Sequence, residues 1–124
     1  MKPHTPKNEI ERLAYATRNS LKGYRAVWRD EAAFRFQAVV LIVATPAAGW
    51  LAESWLQFGL LLAFWIAAMA AELGNSAIEA AIDRIGPEMH ELSGKAKDAG
   101  SAMVMTLMLL AGLIWLLVIL DRFA

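Results

Sequence analysis

Glu72, Asn75, Glu79 and Asp83 fall at offsets 0, 3, 7 and 11 within one short stretch, Glu72-Leu-Gly-Asn-Ser-Ala-Ile-Glu-Ala-Ala-Ile-Asp83. On a helix turning by about 100° per residue, these offsets define one narrow stripe. Glu72 and Glu79 are two turns apart, about 10 Å along the axis. The preceding residues, 55–71, are apolar, so Glu72 stands where a membrane helix would be leaving hydrocarbon. An ionised group at such a depth costs about 3 kcal/mol or more unless it is paired, hydrated or bound to a cation. Cation binding is the economical explanation for Glu72 and Glu79 together. Asp83, followed by Arg84, also reads as a solvated helix end.

Other polar groups belong to the same membrane surface: Glu31 before the first apolar segment, and Lys97 and Asp98 before the last. Hard carboxylate ligands suit Mg²⁺ better than zinc. Mg²⁺ normally arrives with phosphates, and Lys95 and Lys97 are placed to contact them. There is no G-x-x-x-x-G-K-[ST] loop, kinase glycine-rich loop or dinucleotide fingerprint. The residues therefore leave two alternatives, a phosphoryl-transfer site unlike the common ones or a site that uses no nucleotide. His90 alone reads more readily as a polar loop residue than as a catalyst.

The elements that must position these groups follow from composition and periodicity. The 124 residues are 58% hydrophobic, with a mean hydropathy of +0.42, too apolar for an ordinary soluble domain of this size. The absence of cysteine excludes disulfides and thiolate metal sites. Basic and acidic residues balance overall and no base-reading motif occurs, which argues against nucleic acid as a partner. No early apolar segment with a small-residue cleavage site is present, so no cleavable signal peptide is expected.

The chain reads as a single membrane domain, 1–124. A polar lead-in over residues 1–7 precedes an amphipathic helix over 8–29, started by Asn8 with Glu11 three residues on. Ile10, Leu13, Ala14, Thr17, Leu21, Tyr24 and Trp28 form its apolar stripe, and Arg18, Lys22, Arg25 and Arg29 a basic one. Such a helix suits the headgroup region of a membrane, or a protein surface. Membrane helices are expected over 31–50, 55–85 and 98–121, each able to provide the ~30 Å of a crossing. Arg35 and Gln37 lie near the start of the first, within snorkelling reach of headgroups. Pro46 and Gly49 mark its end or a kink, Trp50 and Trp55 bracket a short turn, and Gly86-Pro87 stops the second helix. Residues 88–98 read as a polar connection. With three crossings, nearly all Lys and Arg share one side, which makes that side cytoplasmic.

The runs Glu31-Ala-Ala-Phe-Arg35, Glu72-x-x-Asn-Ser-Ala-Ile-Glu-Ala-x-x-Asp-Arg84 and His90-Glu-Leu-Ser-Gly-x-Ala-Lys-Asp-x-Gly-Ser101 resemble the small bacterial integral-membrane diacylglycerol kinases. The resemblance covers the chain from about Arg12 onward. It implies an all-α homotrimer of three-helix subunits, each with an N-terminal interfacial helix, sharing composite sites at the cytoplasmic surface of the bacterial inner membrane. It implies transfer of the γ-phosphoryl of Mg²⁺-ATP to diacylglycerol, with Glu72 as general base and Glu31 and Glu79 holding the metal. Arg12, Asn19, Asn75, Glu88, His90, Lys97 and Asp98 would lie around ATP. Arg12, Arg25, Trp28, Glu72 and Ser101 would lie near the lipid. Asn19 and Gln37 depart from the family pattern, where an aromatic and a carboxylate respectively can occur. A close relative acting on undecaprenol is the alternative within the family. From other classes, a transporter would place its carboxylates near the bilayer midplane, and a scaffold subunit would need no carboxylate stripe.

Overall fold

The computed structural model describes residues 5–124. The expected polar lead-in begins at residues outside that range. Four helices follow in order: α1 Glu9–Asp30, α2 Ala32–Leu51, α3 Trp55–Ile85 and α4 Glu91–Phe123. Among them α2, α3 and α4 are long and apolar enough to cross a membrane, in keeping with the all-α membrane architecture expected from the sequence.

Each helix start has a local cause. The Asn8 side chain accepts from the Glu11 amide at 2.8 Å, and Glu11 Oε2 accepts from the Lys7 amide at 2.9 Å, so two otherwise unpaired donors are satisfied. α1 ends at Glu31, which is extended (φ −115°, ψ 105°) and is also the residue from which α2 begins. Arg35 reaches back across this corner and donates to the carbonyls of Trp28 (2.6 Å) and Arg29 (3.0 Å), which serve the C-terminal end of α1. The turn between α2 and α3 carries a second reciprocal cap. Ser54 Oγ accepts from Gln57 N at 3.1 Å, and Gln57 Oε1 accepts from Glu53 N at 2.9 Å.

Pro46 lies inside α2, and the helix runs on to Leu51 rather than ending there. α3 stops at Gly86, whose backbone (φ 158°, ψ 165°) is in a region that suits only glycine.

The largest difference from the sequence reading is the start of α4. It begins at Glu91, not 98, so most of the expected polar connection is helical. His90 caps it, its Nδ1 accepting from Leu92 N at 3.0 Å. Lys95, Ala96 and Lys97 are good helix formers, and the charges there mark a helix outside hydrocarbon rather than a loop.

α3 and α4 share the longest seam of the molecule. Leu61, Ala68 and Asn75 are buried on α3, and Val104, Ala111 and Val118 on α4. Both sets have a seven-residue spacing, the repeat of left-handed helix pairs, and the alanines permit close approach. At the end of the molecule carrying the α2–α3 turn, Ala48, Leu51, Leu61 and Val118 form an apolar cluster, flanked by Phe58, Leu62 and Trp115. α1 has no buried residue, and Ile10, Leu13, Leu21, Tyr24 and Trp28 of its apolar stripe remain exposed in the single chain. Its C-terminal half alone faces α3, across the cavity described next.

Candidate active site

The acidic stripe lies on α3 at the end where α1 and the start of α4 meet it. Glu72 is only 7% exposed and Asn75 8%. Glu72 Oε2 accepts a hydrogen bond from Gln37 Nε2 of α2 at 2.9 Å. Among the described residues its other oxygen has no such partner. Gln37, expected within reach of headgroups, is instead 2% exposed. It shares a face of α2 with Phe34, Ala48 and Leu51, all of them buried. Its backbone carbonyl accepts from the Trp65 indole at 2.9 Å, which ties α2 to α3 at this level.

One turn further along α3, Asn75 Nδ2 donates to Glu79 Oε1 at 3.4 Å. Gly100 of α4 packs so closely over the Asn75 side chain that a Cβ there would collide with its Oδ1. Among the described residues three buried polar atoms in this region have no protein hydrogen-bond partner: Gln37 Oε1, Asn75 Oδ1 and Ser76 Oγ.

Two cavities open on the stripe. The first, of about 590 Å³, separates α1 from α3 and is lined by Tyr24, Glu31, Ser76, Glu79 and Asp83 among others. Both expected metal ligands, Glu31 and Glu79, therefore border one space. Asp30 also borders it, but its carboxylate is engaged by Arg29 at 2.8 and 3.2 Å. That hydrogen bond holds Asp30 below the usual carboxylate range. The second cavity, of about 610 Å³, lies between the end of α3 and the start of α4, and Asp83, Glu88, His90 and Lys97 line it. Lys97 Nζ pairs there with Asp83 Oδ1 at 2.9 Å, so Asp83 is a solvated helix-end carboxylate with a cationic partner.

The remaining expected site residues are not gathered by the single chain. Arg12 is exposed and pairs with Glu9 at 3.2 Å. Asn19, Arg25, Asp98 and Ser101 are exposed and border neither cavity. Trp28 meets Phe34 edge-on, with ring centroids 6.5 Å apart. Among the described residues no three Asp, Glu or His side chains converge to hold a metal ion unaided. Glu31 and Glu79 supply hard oxygen donors of the kind a divalent cation such as Mg²⁺ would accept.

Sequence reasoning missed two contributors. Gln37 was read as a headgroup-level residue and a departure from the family pattern, although its i+3 spacing from Phe34 places it on the inward face of α2. Gly100 appeared only as one position of the run over 90–101, and its contact with Asn75 was not legible there.

Known proteins share much of their sequence with this chain. A family model described as prokaryotic diacylglycerol kinase matches residues 18–119. A protein named diacylglycerol kinase from Escherichia coli K12 is 43% identical over 112 residues, covering 90% of this chain and 92% of its own. Proteins of the same name from Haemophilus influenzae and Pseudomonas aeruginosa are 38% and 37% identical, covering 86% and 96% of this chain and 90% and 97% of theirs. The three apolar helices and the carboxylate stripe thus belong to a bacterial membrane enzyme, and the chain is a member of the prokaryotic diacylglycerol kinase family.

Proposed function

We propose that this protein is an ATP-dependent lipid kinase that phosphorylates diacylglycerol to phosphatidate at the cytoplasmic face of the bacterial inner membrane. The observation that carries the reading is the buried Glu72 carboxylate, held by a neutral amide at one oxygen and open at the other. Two turns nearer the polar end of α3, Glu79 shares a cavity with Glu31. A diacylglycerol hydroxyl lies at headgroup depth while ATP is in the cytoplasm, so base and phosphate site must meet at that boundary. Phosphoryl transfer asks mainly for positioning and charge neutralisation, which a few carboxylates, a divalent ion and a lysine can provide.

In this reading Glu72 is the general base. It takes the proton of the lipid hydroxyl as that oxygen bonds to the γ-phosphorus and the bond to the β–γ bridging oxygen breaks, releasing ADP. Glu31 and Glu79 would hold Mg²⁺, which neutralises charge on the phosphates. Asn75 keeps Glu79 in place through their hydrogen bond. Glu88, His90 and Lys97 border the adjoining cavity and are assigned to the nucleotide. Binding of phosphates would draw Lys97 away from Asp83.

Arg12, Asn19 and Asp98, also assigned to the nucleotide, and Arg25, Trp28 and Ser101, assigned to the lipid, are exposed on the single chain. We assign their completion of the site to a neighbouring copy in a homotrimer. The exposed apolar stripe of α1 would then rest on headgroups or on that neighbour.

The test is phosphatidate formation by the purified protein in lipid with Mg²⁺ and ATP, run beside undecaprenol as acceptor. Faster turnover of undecaprenol, or ATP consumption independent of any lipid alcohol, contradicts the assignment. Mixed assemblies of Glu72→Gln and Asp98→Asn subunits should regain activity if sites are shared.

A further inference from the structure

We propose that Gln37 is a positioning residue for Glu72, its side-chain amide selecting which carboxylate oxygen is held and which is left to take the proton. The inference rests on Glu72 being the general base. Gln37 is 2% exposed and donates to Glu72 Oε2 at 2.9 Å, across two helices and 35 residues of sequence.

A structural contact alone leaves half of the amide unused. Among the described residues its Oε1 is buried without a protein partner. The other buried residues on the same face, Phe34, Ala48 and Leu51, are apolar. A second tie between α2 and α3 at this level, from the Trp65 indole to the Gln37 backbone carbonyl, would be kept by any residue at the position.

The amide provides a partner for both states of the base without itself taking up or losing a proton. Its N–H₂ donates to the carboxylate before proton transfer. Afterwards, rotation about the terminal torsion brings the unpaired Oε1 to accept from the Glu72 carboxylic acid. A carboxyl group in the same place could donate to an ionised Glu72 only by keeping its own proton, whereas the amide donates without titrating.

The experiment measures kcat, both KM values and the unfolding midpoint for Gln37→Leu and Gln37→Met, each made with Glu72 intact and with Glu72→Gln. A hydrogen bond to a charged group sets the expected loss in kcat with Glu72 intact at about 10- to 100-fold. Both KM values should stay within about twofold, the mark of an interaction used in the chemical step. The midpoint should fall by no more than the loss of one hydrogen bond to a buried carboxylate accounts for. On the Glu72→Gln background the same substitutions should leave the residual kcat unchanged, since Gln37 acts only through Glu72.

Folded variants with wild-type kcat overturn the proposal, as does an equal fold-loss on both backgrounds. Failure of both Leu and Met variants to fold also overturns it, by showing that the amide holds the structure. Should Glu72→Gln alone keep wild-type kcat, the general-base reading fails rather than the contact to Gln37.

Discussion

At the end of the molecule holding the α2–α3 turn, Ala48, Leu51, Leu61 and Val118 pack against Phe58, Ile114 and Trp115. The Trp115 indole donates to the Leu61 carbonyl at 3.0 Å. Arg122 lies over Trp50 at 5.5 Å from the ring centroid and reaches the Leu51 carbonyl at 3.4 Å. At the opposite end, the same three helices bury Gln37, Glu72 and Asn75 and leave three polar atoms without partners. Apolar packing closes the first end, while the second buries polar groups. Because one bundle contains both, substitutions at the two ends should separate stability from chemistry. Natural proteins accept local instability where function requires it.

The largest effect is expected at the polar end. Glu72→Gln keeps the shape and the buried position but removes the proton acceptor, so phosphatidate formation should fall by about 10²–10⁴-fold. Its unfolding midpoint in detergent–denaturant mixtures should hardly move. Gly100→Ala should come next. The added Cβ displaces the Asn75 side chain from Glu79, and a displacement of about 1 Å in a positioned site can cost up to about 10²-fold in turnover. Steady-state kinetics with ATP as the varied substrate would show this, and a Gly100→Ala enzyme of normal activity would mean that Asn75 does not position Glu79.

The apolar end should behave in the opposite way. Leu61 is 1% exposed, and Leu61→Ala should destabilise by about 2 kcal/mol, the low end of the range for core truncation. In a bilayer the lost term is packing rather than burial from water. Its kcat, measured on the folded fraction, should match the wild type. The smallest effect is assigned to Trp115→Phe, which removes one interhelical hydrogen bond, worth about 0.6 kcal/mol in a membrane. Equilibrium unfolding of both variants checks the order, and a loss of kcat larger than the loss of stability at either position would break the division between the ends.

The parts of this arrangement that were legible in the sequence are those set by local periodicity. The carboxylate stripe needed only helical spacing, and the Asn8–Glu11 start needed only a cap and its i+3 partner. Long apolar runs announced the spanning helices. The start of α4 was misread because Ser93, Gly94 and the surrounding charges look like a linker when taken alone, whereas the His90 cap and the Lys97–Asp83 pair support a helix there. Gln37 was misplaced for a related reason. A polar residue near the start of an apolar helix suggests headgroups unless its partner is known, and here that partner is 35 residues away. The close approach of Gly100 to Asn75 is likewise a tertiary fact. Arg12, Asn19, Asp98 and Ser101 are each exposed on the single chain, so their assignment to a site rests on the proposed homotrimer.

The central claim is that Glu72 moves a proton while Glu31 and Glu79 hold the metal, although in sequence all three are plain glutamates. Turnover measured against Mg²⁺ concentration for Glu72→Gln, Glu79→Gln and Glu31→Gln, with Mg²⁺-ATP binding measured separately, tests it most directly. Glu79→Gln and Glu31→Gln should bind Mg²⁺-ATP more weakly and regain part of their rate in excess Mg²⁺. Glu72→Gln should bind the nucleotide nearly normally and should not be rescued by metal at any concentration. A Glu72→Gln enzyme restored by Mg²⁺, or one that has lost ATP binding while Glu79→Gln retains it, would contradict the assignment and exchange the two roles.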